Sequence, residues 1–117
     1  MTLNNLNRDE MFKVIGISDN PEQELTAAAQ EAIARGKVFS GGKRHYELMK
    51  SRLPQDARWI EITVPLADVF KQYKGIPQIV VFASGDPLFY GFAATVQREF
   101  PDAKIEVYPT FNSLQML

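Results

Sequence analysis

The sequence predicts an α/β domain built on a mostly parallel five-stranded sheet with helices on both faces. Three observations carry this expectation. Short apolar runs alternate with stretches of helical period, and the alternation recurs until five strands are assembled. The most apolar run, Gln78-Ile-Val-Val-Phe-Ala83, has no polar face after its first residue, as a strand covered on both sides requires. With 117 residues and 45% apolar content, the chain fills one domain around one core and has no length left for a second complete one.

Residues 1–10 are polar, contain Asn4, Asn5 and Asn7, and are expected to form a flexible N-terminus without the basic start and apolar stretch of a signal peptide. Residues 11–117 then form the domain. Met11 to Ile17 is apolar and partly β-branched, a first strand whose crowding Gly16 relieves. Asn20-Pro21 places an N-cap acceptor before a proline at the first helical position, with Glu22 and Glu24 near the positive end of the dipole, so a helix is expected to begin there. Its apolar stripe is Leu25, Ala28, Ala29, Ala32 and Ile33, and Gly36 is expected to close it in a left-handed cap.

Lys37 to Ser40 reads as a short second strand, which Gly41-Gly42 turns into a helix over residues 45–51. Residues 53–58 are linker-like. Trp59 to Val64 is the third strand, and Pro65 opens a helix with the stripe Leu66, Val69, Phe70 and Tyr73. After the central strand, Asp86-Pro87 caps a helix whose stripe is Phe89, Phe92, Ala93, Val96 and Phe100; Lys104 to Tyr108 alternates as a peripheral strand. Residues 113–117 read as the N-cap and first turn of a further helix, so a C-terminal domain is expected beyond this chain.

Thirteen basic and fourteen acidic residues give a formal charge of -1, which provides no global field for nucleic acid or an anionic membrane. The absence of cysteine excludes disulfides, thiolate metal sites and a cysteine nucleophile, and no metal site is expected. No apolar run approaches the roughly 20 residues that span a bilayer. The expectation is a soluble cytoplasmic protein.

In an open parallel sheet, ligands sit beyond the carboxyl ends of the strands. Three loops leave those ends with small or turn-forming residues, Gly16-Ile-Ser-Asp19, Ser40-Gly-Gly42 and Ser84-Gly-Asp-Pro87, and a fourth runs from Pro109 to Ser113. Small residues let a ligand reach backbone amides and carbonyls directly. Any one of these glycines is explained by a tight turn; four loops converging on one edge point to a ligand. The dinucleotide fingerprint is missing, because only Gly16 precedes Ser18 and Asp19, and the P-loop is missing, because Gly42-Lys43 is followed by Arg44. Asp86 serves equally as an N-cap or a ligand contact. His45, the single histidine, is either a helix residue beside a glycine turn or a group for proton transfer or substrate contact. Lys43 and Arg44 are either solvated or placed to meet acidic substrate groups.

The run Ala83-Ser-Gly-Asp-Pro-Leu-Phe-Tyr-Gly91 resembles the signature with which tetrapyrrole (corrin and porphyrin) methylases form one wall of their S-adenosylmethionine pocket. Val14-Ile-Gly-Ile17, Gly41-Gly-Lys-Arg-His45 and Pro109-Thr-Phe-Asn-Ser-Leu-Gln115 follow in that family's order and spacing, so the resemblance runs from Phe12 to Leu117. It implies S-adenosylmethionine-dependent C-methylation of a precorrin or cobalt-precorrin in cobalamin biosynthesis. The cofactor would lie in a cleft between this N-terminal domain and a missing C-terminal one, in an enzyme expected to be a homodimer when complete, with or without a decarboxylating C15-methylating domain.

By that resemblance Ser84, Gly85, Asp86, Asn112 and Ser113 would contact the cofactor, Ser18, Asp19 and Asn20 would face the tetrapyrrole, and Lys43, Arg44 or basic residues of the absent domain would meet its carboxylates. Ser18 stands where relatives carry a second glycine and Asn112 where a serine is common, two departures from the pattern. The catalytic residue is left open, with His45 as the candidate base. This domain alone is expected to be inactive. The opposing reading is a non-enzymatic α/β module that binds a nucleotide-like ligand, against which the run Ala83 to Gly91 argues.

Overall fold

Five strands, β1 (Met11–Gly16), β2 (Val38–Gly41), β3 (Arg58–Glu61), β4 (Gln78–Ala83) and β5 (Lys104–Tyr108), pair in the order β3-β2-β4-β1-β5. Every pair is parallel. The computed structural model describes residues 10–20, 22–84 and 86–108. Four α-helices connect the strands: α1 (Ala27–Arg35), α2 (Lys43–Met49), which runs on into a 3-10 turn at Lys50–Arg52, α3 (Leu66–Tyr73) and α4 (Asp86–Glu99).

Period-2 alternation divides the core between the two faces of the sheet. Phe12 and Val14 of β1 with Ile79, Val81 and Ala83 of β4 meet Val69, Phe70 and Tyr73 of α3 and Val96 of α4. Ile15 of β1 with Val80 and Phe82 of β4 meet Ala29, Ala32 and Ile33 of α1 and Leu48 and Met49 of α2. The register Phe12↔Ile79, Val14↔Val81, Ile15↔Phe82 puts like faces together. Phe12 packs at 5.5 Å from the Tyr73 ring and 5.0 Å from Phe100, and each such buried ring contributes roughly 1.5–3 kcal/mol.

The helix faces follow from crossover handedness. The first two connections, through α1 and α2, move the chain toward the β3 edge; the next two, through α3 and α4, move it back toward β5. Right-handed crossovers in opposite directions must lie on opposite faces, as these do. The chain therefore leaves neighbouring strands β2 and β4 toward different faces, which opens a crevice between their carboxyl ends.

Several local expectations are corrected. The first helix begins at Ala27, where the Thr26 hydroxyl accepts from the Ala29 amide at 3.1 Å, and not at Asn20-Pro21. Asn20 spends its side chain on the Glu22 amide at 2.9 Å, and the Gln23 side chain accepts from the Ser18 amide while donating to the Ser18 and Asn20 carbonyls. These bonds satisfy the backbone in a non-helical form that competes with an earlier start. Pro21 lies outside the described residues. Ala28 is exposed and is not part of the buried stripe.

Gly36 is extended (φ −77°, ψ 159°), not left-handed; a Cβ there would lie 2.9 Å from Cζ of Phe39 and 3.0 Å from Cγ2 of Val80. The left-handed residue is Gly75, with φ 85°, after α3. The second helix starts two residues early, at Lys43, with Gly42 at the N-cap. The third strand stops at Glu61 instead of Val64, because its partner β2 stops at Gly41 and the last link is the Ile62 amide to the Gly41 carbonyl. Val64 is exposed, its bond to Pro65 is cis, and Pro65 is the N-cap of α3, not its first helical residue.

Candidate functional site

A cavity of about 380 Å³ opens at the carboxyl end of β4, within that crevice. Phe82, Ala83 and Ser84 form its floor, Gly42 and His45 of the α2 start one side, and Ile62 and Leu66 the exit of β3 and the start of α3. Gly91, Phe92 and Thr95 of α4 complete the wall. A volume in this range, with apolar walls and a few polar atoms at the rim, suits a small organic ligand. A Cβ on Gly91 would meet nothing within 4 Å, so α4 presents bare backbone to open space there.

His45 and Ser84 supply polar side chains to this lining, and the third, Thr95, donates its hydroxyl to the Gly91 carbonyl at 3.0 Å within α4. Gly42 has no side chain with which to cap α2, and His45, three residues on, reaches back instead: its Nδ1 accepts from the Gly42 amide at 3.0 Å. Nε2 lies 3.2 Å from the Ser84 hydroxyl. Because Nδ1 is occupied as an acceptor, the neutral ring carries its proton on Nε2 and donates it to Ser84. Burial lowers the His45 pKa below 6.5, against the opposing pull of the Asp19 carboxylate, and so favours this neutral form.

Beneath the site, β2 is fixed to α3 by a buried chain. The Ser40 hydroxyl donates to the Ile60 carbonyl at 2.7 Å and accepts from the Tyr73 phenol at 2.6 Å, Ser40 having no other proton to give. Burial pushes the Tyr73 phenol up to about 12 even though the Ser40 bond pulls it down.

Among the residues expected to face substrate, Asp19 and Arg44 are brought together, with Nε to Oδ1 at 3.7 Å. Their side chains are 79% and 68% exposed, so solvent screening leaves this pair little energetic weight. It does show that the loop after β1 and the start of α2 share one rim. Ser18 and Asn20 are engaged within their own loop, where the Ser18 hydroxyl accepts from the Asn20 amide at 3.2 Å. Lys43 is exposed on the first turn of α2. Asp86 is the first residue of α4. Gly85, Asn112 and Ser113 lie outside the described residues.

Sequence reasoning missed Gln23, which staples the first loop, and Ile62, Leu66, Phe92 and Thr95, which line the cavity. Leu66 and Phe92 were legible as apolar stripe residues, but a stripe does not say which of its members face a void. Among the described residues no group of three or more His, Asp or Glu could hold a metal ion, and no helix is long and apolar enough to cross a membrane.

The chain is 34% identical over 104 residues to the precorrin-6Y C(5,15)-methyltransferase [decarboxylating] of Sinorhizobium sp, covering 88% of this chain and 25% of that protein. It is 32% identical over 112 residues to the cobalt-precorrin-7 C(5)-methyltransferase of Salmonella typhimurium, covering 92% of this chain and 53% of that protein, and likewise to that of Salmonella typhi. These three proteins are homologues of this chain. It spans a quarter of the length of the first of these relatives and about half of the others, and corresponds to their N-terminal portion. Its all-parallel sheet with four helices is consistent with the tetrapyrrole methylase fold. No family model matches the chain, and no solved structure does.

Proposed function

We propose that this domain forms one wall of an S-adenosylmethionine site in an enzyme that methylates C5 of a precorrin or cobalt-precorrin, the activity of a precorrin-6Y C5,15-methyltransferase in cobalamin biosynthesis. The observation that carries it is the cavity at the carboxyl end of β4, lined by Ala83, Ser84 and Gly91 of the run that resembles the cofactor signature. The names of the homologues support the substrate class.

The residues fit the cofactor: apolar walls for its organic framework, a hydroxyl at the rim, bare backbone at Gly91, and the cations Lys43 and Arg44 outside the cavity wall, away from a sulfonium charge. When bound, S-adenosylmethionine supplies a methyl group on sulfur that passes to a ring carbon as the sulfur–carbon bond breaks, the carbon then losing a proton. The protein's task is in-line positioning, which in favourable cases supplies about 7–11 kcal/mol of the barrier reduction. Ser84, Gly85, Asp86, Asn112 and Ser113 hold the cofactor in this reading, and Phe82, Ile62 and Phe92 keep water out. Ser18, Asp19 and Asn20 face the macrocycle, with Lys43 and Arg44 toward its carboxylates. His45 has both ring nitrogens engaged and is assigned a supporting role in place of proton transfer.

The second wall comes from the remainder of a longer, cytoplasmic and homodimeric polypeptide, and this domain alone is inactive. Gly91→Leu tests the cavity. It replaces a helical glycine where a Cβ would meet nothing within 4 Å, so stability should rise by about 0.5–1 kcal/mol while the rest of the side chain takes up cavity space. Calorimetric titration with S-adenosylhomocysteine should show binding by the full-length polypeptide and at least tenfold weaker binding by the variant. Unchanged affinity in a folded Gly91→Leu protein would overturn the site assignment.

A further inference from the structure

His45 connects the start of α2 to the end of β4 through a chain of hydrogen bonds with only one workable direction. The Gly42 amide can only donate, so Nδ1 must accept; a neutral ring then has its one proton on Nε2, which must donate to Ser84. A protonated ring would set a second donor against the Gly42 amide, and the opposite tautomer would do the same. The Ser84 hydroxyl, having received a proton on one lone pair, keeps its own hydrogen, and among the described residues nothing else accepts it. Ser84 is half-buried on the floor of the cavity. We propose that His45 is a positioning residue that fixes the Ser84 hydroxyl as a hydrogen-bond donor toward an acceptor atom of the bound ligand, such as a carboxylate or ribose oxygen.

The consequence concerns ligand polarity and rests on the cofactor reading above. The rim polar group nearest the end of β4 addresses an electron-rich atom, so the ligand enters with an oxygen or an unprotonated nitrogen toward Ser84 and with its cationic groups elsewhere. Linked bonds polarise one another, so the Ser84 donor is strengthened by the imidazole behind it. The loop after β2 thereby influences affinity without touching the ligand.

A double-mutant cycle on the full-length polypeptide tests this, read as calorimetric affinity for S-adenosylhomocysteine. In His45→Asn the side-chain oxygen takes the place of Nδ1 and keeps the acceptor for Gly42, but the side chain is too short to reach Ser84. Ser84→Ala removes the donor itself. Each single variant should weaken binding by about three- to tenfold, the scale of one hydrogen bond, and the double variant should bind no worse than Ser84→Ala. His45→Gln, whose amide N–H can extend to Ser84, should recover most of the affinity, a rescue that a purely helix-capping role would not produce, since Asn caps as well. Losses that multiply in the double variant, or full affinity in His45→Asn alongside weakened Ser84→Ala, would overturn the positioning role. If Gly91→Leu weakens binding and Ser84→Ala does not, the cavity stands and this inference falls; if neither weakens it, the cofactor reading itself has failed.

Discussion

Gly36 lies between Arg35 at the end of α1 and the start of β2 with the ring of Phe39 in the space a Cβ would need, so its missing side chain is a matter of room. Gly36→Ala should lower stability by about 1–3 kcal/mol in urea denaturation, the usual cost of overpacking, whereas a glycine needed only for conformation would have tolerated alanine at this extended backbone. His45 carries a titration consequence. Its folded pKa lies below 6.5, so between that value and 6.5 the unfolded chain binds more protons, and stability rises with pH across the window. Asp19, which opposes the shift, its neighbour Arg44, and Lys43 at the start of α2 are charged groups of this rim. The stability present above pH 6.5 should be lost as pH falls through the folded pKa. Urea midpoints at stepped pH should show that slope, reduced in His45→Asn. A histidine on this helix was legible in the sequence; that its ring would face back to Gly42 depended on the glycine N-cap, and that it would reach Ser84 depended on a residue far along the chain.

Between elements, Ser40 ties the middle of β2 to β3 and α3 through a hydroxyl with no exposure to solvent. Ser40→Ala leaves the buried Tyr73 phenol without its partner and should cost about 1–3 kcal/mol. Tyr73→Phe removes the donor as well, leaves Ser40 bonded to Ile60, and should cost less, an ordering that thermal unfolding of the two variants checks. Strands with continuous apolar content were legible, β4 to the residue, because burial on both faces leaves its mark on composition. Element ends were less so, for two different reasons. The start of α1 was lost to Gln23, a side chain that folds back on its own loop and offers the backbone an alternative to the helix. The end of β3 was set by where β2 stops, a pairing limit that no property of Ile62 or Val64 announces.

At the scale of the whole molecule, alternation was enough for the fold class, and the apolar run 78–83 was enough to place β4 in the middle of the sheet. Convergence of the loops after β1, β2 and β4 followed from parallel strands alone. The cavity did not, because four of its ten lining residues are Ile62, Leu66, Phe92 and Thr95, whose sequence pattern is that of ordinary packing. The same strand order has a temporal side. β1 pairs with neither β2 nor β3; its strand partners are β4 and β5, so Met11 finds its first partner at Gln78. On a ribosome adding about 5–20 residues per second, the segment from Met11 to Ile17 would wait several seconds for a strand to pair with, and in that time only α1 is there to cover one of its faces. During synthesis the strand made first is thus the one left longest with unpaired edges, and their protection in that interval falls to the cell and not to the sheet.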